Sequence, residues 1–325
     1  MQTLVDFDNA PVFAIPVRDG YRGFAGREGM LVEGPQGWGE FSPPGVDADL
    51  RVVRFLTAAI EAGTVGWPDP VRGRVPVAVA VPAVGPERAA AIAAESGCAS
   101  ADVRVGCRPD SLADDIARLE AVRDALGPSA AIRCDAGGAW DVDTAVAVIA
   151  ALDRAAGGLQ FVEQPCGTLA EMAAVRKRVE VRIAVDESLR EAADPFALDL
   201  TDAADIAVLT VGPLGGVRRT LRAAERWGVP CLVSSPPDSS IGLAGGLAVA
   251  GALPELPFAC GLATVAALAG DLVSAGRSLR PVDGHLPVAP MPPAPDPERL
   301  RQFQVTDTAR VTWWRQRLAA VQHLL

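Results

Sequence analysis

The chain has 325 residues, a formal net charge of −10 and 50% hydrophobic residues, enough for a large core and incompatible with global disorder. No basic stripe is present, which argues against nucleic acid as the main partner, and no apolar run is long enough to span a bilayer without Gly, Pro or charge. The polar, interrupted N-terminus lacks a signal-peptide core, so a cytoplasmic, membrane-free protein is expected.

The length exceeds a usual domain of roughly 100 to 200 residues, and one barrel with a smaller appendage accounts for it. Residues 1–70 read as an α+β capping module, with short strands at 12–15, 30–33 and 38–41 and a helix over 50–62. Its loop 19–27 carries Arg22 and Arg27 among three glycines, a composition suited to a cover, and Arg22 is a candidate substrate contact.

Residues 71–270 alternate short β-branched runs with Ala/Leu/Arg-rich helical stretches, the pattern of a parallel sheet wrapped in helices. Strands are predicted at 75–81, 101–105, 131–135, 159–163, 182–186, 205–209, 231–234 and 258–260, eight in all. Helices are predicted over 111–126, 142–155, 169–179, 217–227 and 241–252, the first with a capping signature in Ser111 and Asp114. The fold expected is a (β/α)8 barrel in the α/β class, with an α+β capping domain formed by the N-terminus and the C-terminal tail. That tail, 271–325, is Pro-rich through Pro297 and ends in a helix with Trp313 and Trp314 that should pack back on the capping domain. The six cysteines stand singly with no C-x-x-C pair, so neither a zinc site nor a disulfide framework is signalled, and buried reduced thiols are expected.

Three consecutive strands end in an acid: Asp135 in Arg-Cys-Asp-Ala-Gly-Gly, Glu163 in Val-Glu-Gln-Pro and Asp186 in Val-Asp-Glu-Ser. In a parallel barrel all three face one mouth and make an all-oxygen pocket for a hard divalent cation, for which Mg2+ is the natural occupant. Acids at strand ends also serve as helix N-caps, but three in order favour the metal reading.

These motifs, with Arg27-Glu28, Gly37-Trp38-Gly39-Glu40-Phe41, Val81-Pro82-Ala83-Val84, Asp114-Asp115-Ile116-Ala117-Arg118, Pro213-Leu214-Gly215-Gly216, Val233-Ser234-Ser235 and Ala252-Leu253-Pro254-Glu255-Leu256, resemble the enolase superfamily over nearly the whole chain. Within it the chain closely resembles the o-succinylbenzoate synthases of menaquinone biosynthesis of actinobacterial type, which implies the enolase-type form of the (β/α)8 barrel with its α+β capping domain. The resemblance implies Mg2+-dependent syn-dehydration of 2-succinyl-6-hydroxy-2,4-cyclohexadiene-1-carboxylate: a proton is taken from beside a carboxylate, an enediolate is held on the metal, and hydroxyl leaves. It also implies a lysine base closing a K-x-K motif on the second barrel strand, and a second lysine on the sixth.

Matching motif to motif, Arg104 and Thr210 stand where those lysines belong, and Asp102 replaces the first lysine of K-x-K. Gly137 replaces the usual asparagine after the first metal aspartate, Ala78 and Ala80 replace a polar Asn-x-Thr, and Cys107 stands where an acid is common. The chain holds one lysine, Lys177, in a basic run that helical periodicity places outside. Deprotonating an arginine at neutral pH costs about 8 to 9 kcal/mol, so Arg104 should fail as a general base, and dehydratase activity is expected to be very low or absent.

Other bases are few. His285 and His323 lie in the tail; Glu187 neighbours a metal-ligand position; Asp238 follows the seventh strand; Asp102 either serves as a base or pairs with Arg104. Cys134 and Cys107 are nucleophiles by residue type alone. Ser234, Ser235, Gly215 and Gly216 are candidate donors to a substrate carboxylate, although the glycines serve equally as a turn. Two alternatives stay open: a non-catalytic paralogue binding Mg2+ and a carboxylate ligand or a protein partner, and a different enolate reaction using Asp102 or Asp238. The sequence leaves monomer and homo-oligomer undecided.

Overall fold

A computed structural model of the chain describes residues 5–18, 26–45 and 49–325. Near the N-terminus β1 (Val12–Pro16), β2 (Gly26–Gly34) and β3 (Gly37–Phe41) form an antiparallel meander in which Val12 faces Met30 and Met30 faces Phe41. Alternation turns these apolar side chains to one face, where they meet Val52, Leu56 and Ala59 of helix α1 (Leu50–Thr64). Asp49 caps α1, its carboxylate accepting from the backbone N–H of Arg51 and Val52.

The chain continues through β4 (Arg74–Pro76), β5 (Val79–Val81), α2 (Pro86–Glu95), β6 (Ser100–Arg104), α3 (Leu112–Leu126), β7 (Ala131–Asp135), α4 (Val142–Ala155), β8 (Leu159–Glu163), α5 (Leu169–Arg176) and β9 (Ile183–Val185). Then follow α6 (Glu187–Glu191), β10 (Ile206–Leu209), α7 (Val211–Leu214), α8 (Val217–Trp227), β11 (Cys231–Val233) and α9 (Ser240–Ala252). Strands β5 to β11 lie side by side in chain order. Cys260 pairs with Val77 and Gly261 with Ser234, both in parallel, which closes the sheet into an eight-unit barrel. The outward faces of the strands are apolar, whereas the inward face is apolar at the floor and charged toward the mouth on β6 and β7. Val103, Cys134, Val162, Leu209 and Val233 pack outward under the helices, while Phe161, Ala184, Ile206, Val208, Leu232 and Phe258 fill the barrel floor.

In the tail β12 (His285–Pro287) pairs antiparallel with β4, and α10 (Pro297–Phe303) precedes α11 (Thr308–Gln322). Trp314, Leu318 and Val321 of α11 join the core made by β2, β3 and α1, and Trp314 Nε1 donates to Glu28 Oε1 at 2.6 Å. No helix among the described residues is long and apolar enough to cross a membrane.

Several local readings are corrected. Residues 75–81 are not one strand: Val77 N–H donates to Gly284 O and Ala78 N–H to Cys260 O, so the chain switches from the tail hairpin to the barrel there. Pairing of the eighth barrel position falls at Cys260 and Gly261 rather than over 258–260, leaving Phe258 to the floor cluster. Ser111 makes no side-chain cap; its hydroxyl donates to Asp115 Oδ2 at 2.8 Å, one turn into the helix.

Candidate active site

Register sets the site. Arg104, Asp135 and Glu163 are lateral neighbours at the ends of β6, β7 and β8, and Asp186 opens α6 one strand further round. These four, with Asp102 and Arg190, line a cavity of about 290 Å³ at the barrel mouth. Thr210, Ser234 and Ser235 line it too.

The cavity is a set of paired charges. Arg104 Nη1 lies 2.5 Å from Asp135 Oδ2, Arg190 Nε 2.9 Å from Asp186 Oδ1, and Arg133 Nε 3.1 Å from Asp102 Oδ2. The expected pairing of Asp102 with Arg104 is therefore corrected: Arg133 is the Cα partner of Asp102 across the β6–β7 ladder and reaches it first. Glu163, 5% exposed, has neither an ion pair nor a hydrogen bond to its carboxylate among the described residues. Burial, then the charges of Asp135, Asp102 and Asp186, push its carboxyl well above the usual range. Burial pushes Asp186 up to about 7 against the pull of Arg190. Burial works against the charge on Arg104, but Asp135, with Cys107 beside it, holds the guanidinium pKa above its ordinary value.

The donor chemistry suits a hard divalent cation: three carboxylates meet at one mouth, and Asp135 Oδ1 is buried with no hydrogen-bond partner. Asp186 stands at the N-cap of α6 without a side-chain capping bond, so capping does not account for it. Among the described residues, however, no three Asp, Glu, His or Cys side chains converge in ligating geometry. Arg104 and Arg190 each engage one oxygen of the aspartate they face, Asp135 Oδ2 and Asp186 Oδ1.

Three networks hold the mouth in place. The carboxamide of Gln164, fully buried, accepts from Asp186 N–H at 3.0 Å and Ser188 N–H at 3.2 Å and donates to Ser188 Oγ at 2.7 Å, tying the end of β8 to the start of α6. Arg118 on α3 donates to Arg104 O at 2.9 Å and Val84 O at 2.7 Å, and its partner Asp115 accepts from Gly106 N–H, which fixes the end of β6. Between the capping domain and the barrel, Arg27 Nε donates to Glu40 Oε1 at 2.7 Å and its Nη2 pairs with Asp238, while Ser239 Oγ donates to Glu40. Sequence reading missed Arg190 and Arg133; the spacing of Arg190 four residues after Asp186, within one helical turn, was the available signal.

The remaining sequence candidates divide. Thr210, 7% exposed, stands at the N-cap position of α7 without a side-chain capping bond. Ser235 Oγ is engaged with Asp238 and Pro236 O, and Ser234 Oγ donates to Gly261 O at 3.4 Å. Gly215 and Gly216 do not line the cavity: they turn the chain from α7 into α8, where Glu61 of α1 accepts from Arg218 N–H at 3.1 Å. Arg22 lies outside the described residues. Cys134 is buried on the outward face of β7 and burial pushes its thiol well up, which leaves it no nucleophilic role. Cys107 alone of the six free cysteines is exposed. His285 sits in the tail hairpin, His323 caps the last helix, and Lys177 is an exposed C-cap of α5.

Comparison with known proteins follows the same division of the chain. The enolase C-terminal domain-like family matches residues 86–295 and the enolase N-terminal domain-like family residues 12–63. The o-succinylbenzoate synthase of Thermobifida fusca is 52% identical over 310 residues, 95% of this chain and 95% of that one. The o-succinylbenzoate synthase of Mycolicibacterium smegmatis is 44% identical over 97% of this chain and 95% of its own. Among solved structures, muconate lactonizing enzyme from Pseudomonas fluorescens superposes with a TM-score of 0.76 at 22% identity, covering 93% of this chain and 98% of that one. N-succinyl Arg/Lys racemase from Bacillus cereus gives 0.76 at 18% identity, covering 91% and 96%. A closed barrel with a capping domain, acids on successive strand ends and 44% to 52% identity to these synthases over nearly the whole chain place it in the enolase superfamily and, within it, in the o-succinylbenzoate synthase family.

Proposed function

We propose that this chain keeps the ligand cavity of the o-succinylbenzoate synthases, takes a small cyclic carboxylate there, and performs their dehydration extremely slowly or not at all. The observation that carries this is the ion pair between Arg104 and Asp135. A base at position 104 must give up its proton at neutral pH, and a guanidinium resists by about 8 to 9 kcal/mol before Asp135 adds its own pull. Thr210 offers no charge from its side of the cavity. Asp102, Asp238 and Glu187 are the other acids that could serve as bases, and each is tied to a guanidinium, Arg133, Arg27 and Arg190 respectively.

Asp135, Glu163 and Asp186 are the residues that would hold the Mg2+ expected of the family. Such an ion, when bound, supplies positive charge to a substrate carboxylate and to the negative charge that develops beside it. Arg190 orients Asp186, Gln164 sets the spacing of Glu163 and Asp186, and the Arg27–Glu40–Asp238 cluster seats the capping domain over the mouth.

An ultraviolet assay with Mg2+ and the cyclohexadiene substrate tests the proposal, run on the unmodified chain beside an Arg104→Lys, Thr210→Lys double variant. No turnover by the former and measurable turnover by the latter is the expected result. Turnover by the unmodified chain at the rate of the variant overturns it. Calorimetric titration with o-succinylbenzoate tests the cavity separately, and no binding to either protein overturns the ligand assignment.

A further inference from the structure

The guanidinium of Arg104 rests against Gly137. A Cβ built on Gly137 would lie 2.7 Å from Arg104 Nη1 and 2.8 Å from its Cζ, closer still to Nη2, so any side chain there meets the guanidinium. Cβ atoms essentially never come within 3.0 Å of another heavy atom, so one of the two groups has to move. Gly137 also has φ +57, in the left-handed region, where asparagine is the non-glycine residue tolerated best. On the other side Arg104 Nη1 contacts Asp135 Oδ2. Bare backbone at 137 therefore opens the space in which the guanidinium reaches the carboxylate. Each aspartate of the cavity has its own arginine, and Glu163 alone lacks one.

We propose that Arg104 and Gly137 act as one coupled device: the guanidinium lodges over the bare backbone of residue 137 and serves Asp135 as a built-in cation, so that a divalent metal ion enters this cavity only by displacing it. The inference rests on the reading of Asp135, Glu163 and Asp186 as the metal-ligand set, and it deepens that reading by naming the group with which the metal competes. It also unites two departures from the family pattern, at 104 and 137, that look independent in the sequence.

The coupling is tested by a double-mutant cycle in thermal stability, using Gly137→Asn, Arg104→Ala and the double variant, with far-ultraviolet circular dichroism to establish folding. The guanidinium is the far end of a flexible side chain and gives way at modest cost, so Gly137→Asn is expected to lower Tm by roughly 1–2 °C in the Arg104 background and by less than half as much in the Arg104→Ala background. Equal losses in the two backgrounds overturn the coupling. Should Arg104→Ala fail to fold, Arg104→Lys takes its place, because a lysine keeps the charge and lacks the planar fork that fills the space over residue 137.

The competition is tested by Mn2+ titration followed by electron paramagnetic resonance, a readout independent of turnover. Arg104→Ala is expected to bind Mn2+ at least about tenfold more tightly than the unmodified chain, which corresponds to about 1.4 kcal/mol. Equal affinities overturn the competition. No binding by any variant overturns it as well and sinks the metal-site reading, while the assay of turnover by the lysine variant reports separately on the proposed function.

Discussion

Glu40 offers the sharpest test of how the capping domain is fixed to the barrel. Its carboxylate, 1% exposed, accepts from Arg27 Nε at 2.7 Å and from the hydroxyl of Ser239, the N-cap of α9. A Cβ on Gly242 would lie 2.9 Å from Glu40 Cδ, so the carboxylate sits directly on the first turn of that helix, where the dipole favours a negative charge. In Glu40→Ala, Arg27 keeps Asp238 as a partner, which brings the cost below the roughly 3–5 kcal/mol of breaking an isolated buried pair. The lost Ser239 bond adds about 1 kcal/mol, and a net destabilisation of about 3 kcal/mol is expected. Urea unfolding followed by tryptophan fluorescence measures it, with Asp143→Ala as a control because its pair with Arg178 is largely exposed and worth under about 1 kcal/mol. A Glu40→Ala loss no larger than that of the control would refute the argument that burial and the helix terminus make this cluster strong.

Other predictions follow from the same structure. Gln164→Leu leaves the N–H groups of Asp186 and Ser188 without their buried acceptor and should destabilise by about 2–4 kcal/mol; a Tm within 1 °C or so of the parent would contradict the role given to the carboxamide. Arg118→Ala strands Asp115 in the core and frees Arg104 O, and a cost of about 3–5 kcal/mol is expected by urea unfolding, with a cost under roughly 1 kcal/mol counting against it. Burial, opposed by Arg27, raises the Asp238 carboxyl to about 6, so the folded state holds this proton more tightly than the unfolded chain does. The stability it contributes is complete below about pH 4 and is lost as pH rises through about 6. A Tm profile from pH 4 to 8 should therefore be flatter in Asp238→Asn than in the parent, and parallel profiles would rule the effect out.

Much of this protein was determined by local sequence. Helices α4 and α8 run over the residues that their periodicity marks, because Asp141 supplies a cap to the first and Gly228 a left-handed end to the second. The acids Asp135, Glu163 and Asp186 were legible as a group because strand alternation and parallel direction send successive strand ends to one mouth. Family motifs spread along the chain carried the fold and the membership further than any single segment.

Tertiary structure alone decided the partners. Arg133 takes Asp102 because the β6–β7 register sets them opposite each other, and a one-residue slip would have exchanged the faces. The break at Val77 depends on Gly284 and Cys260, both distant in sequence, so no local signal reports it. Gly215 and Gly216 read as an anion cradle until α1 brings Glu61 to the start of α8. The meeting of Arg104, Gly137 and Asp135 is of the same kind: three residue types are visible in the sequence, but whether a guanidinium points into the space above a glycine depends on side-chain packing across two strands and a loop. Sequence periodicity specifies which face a residue occupies, and only the assembled barrel specifies which of several charged neighbours lies within reach.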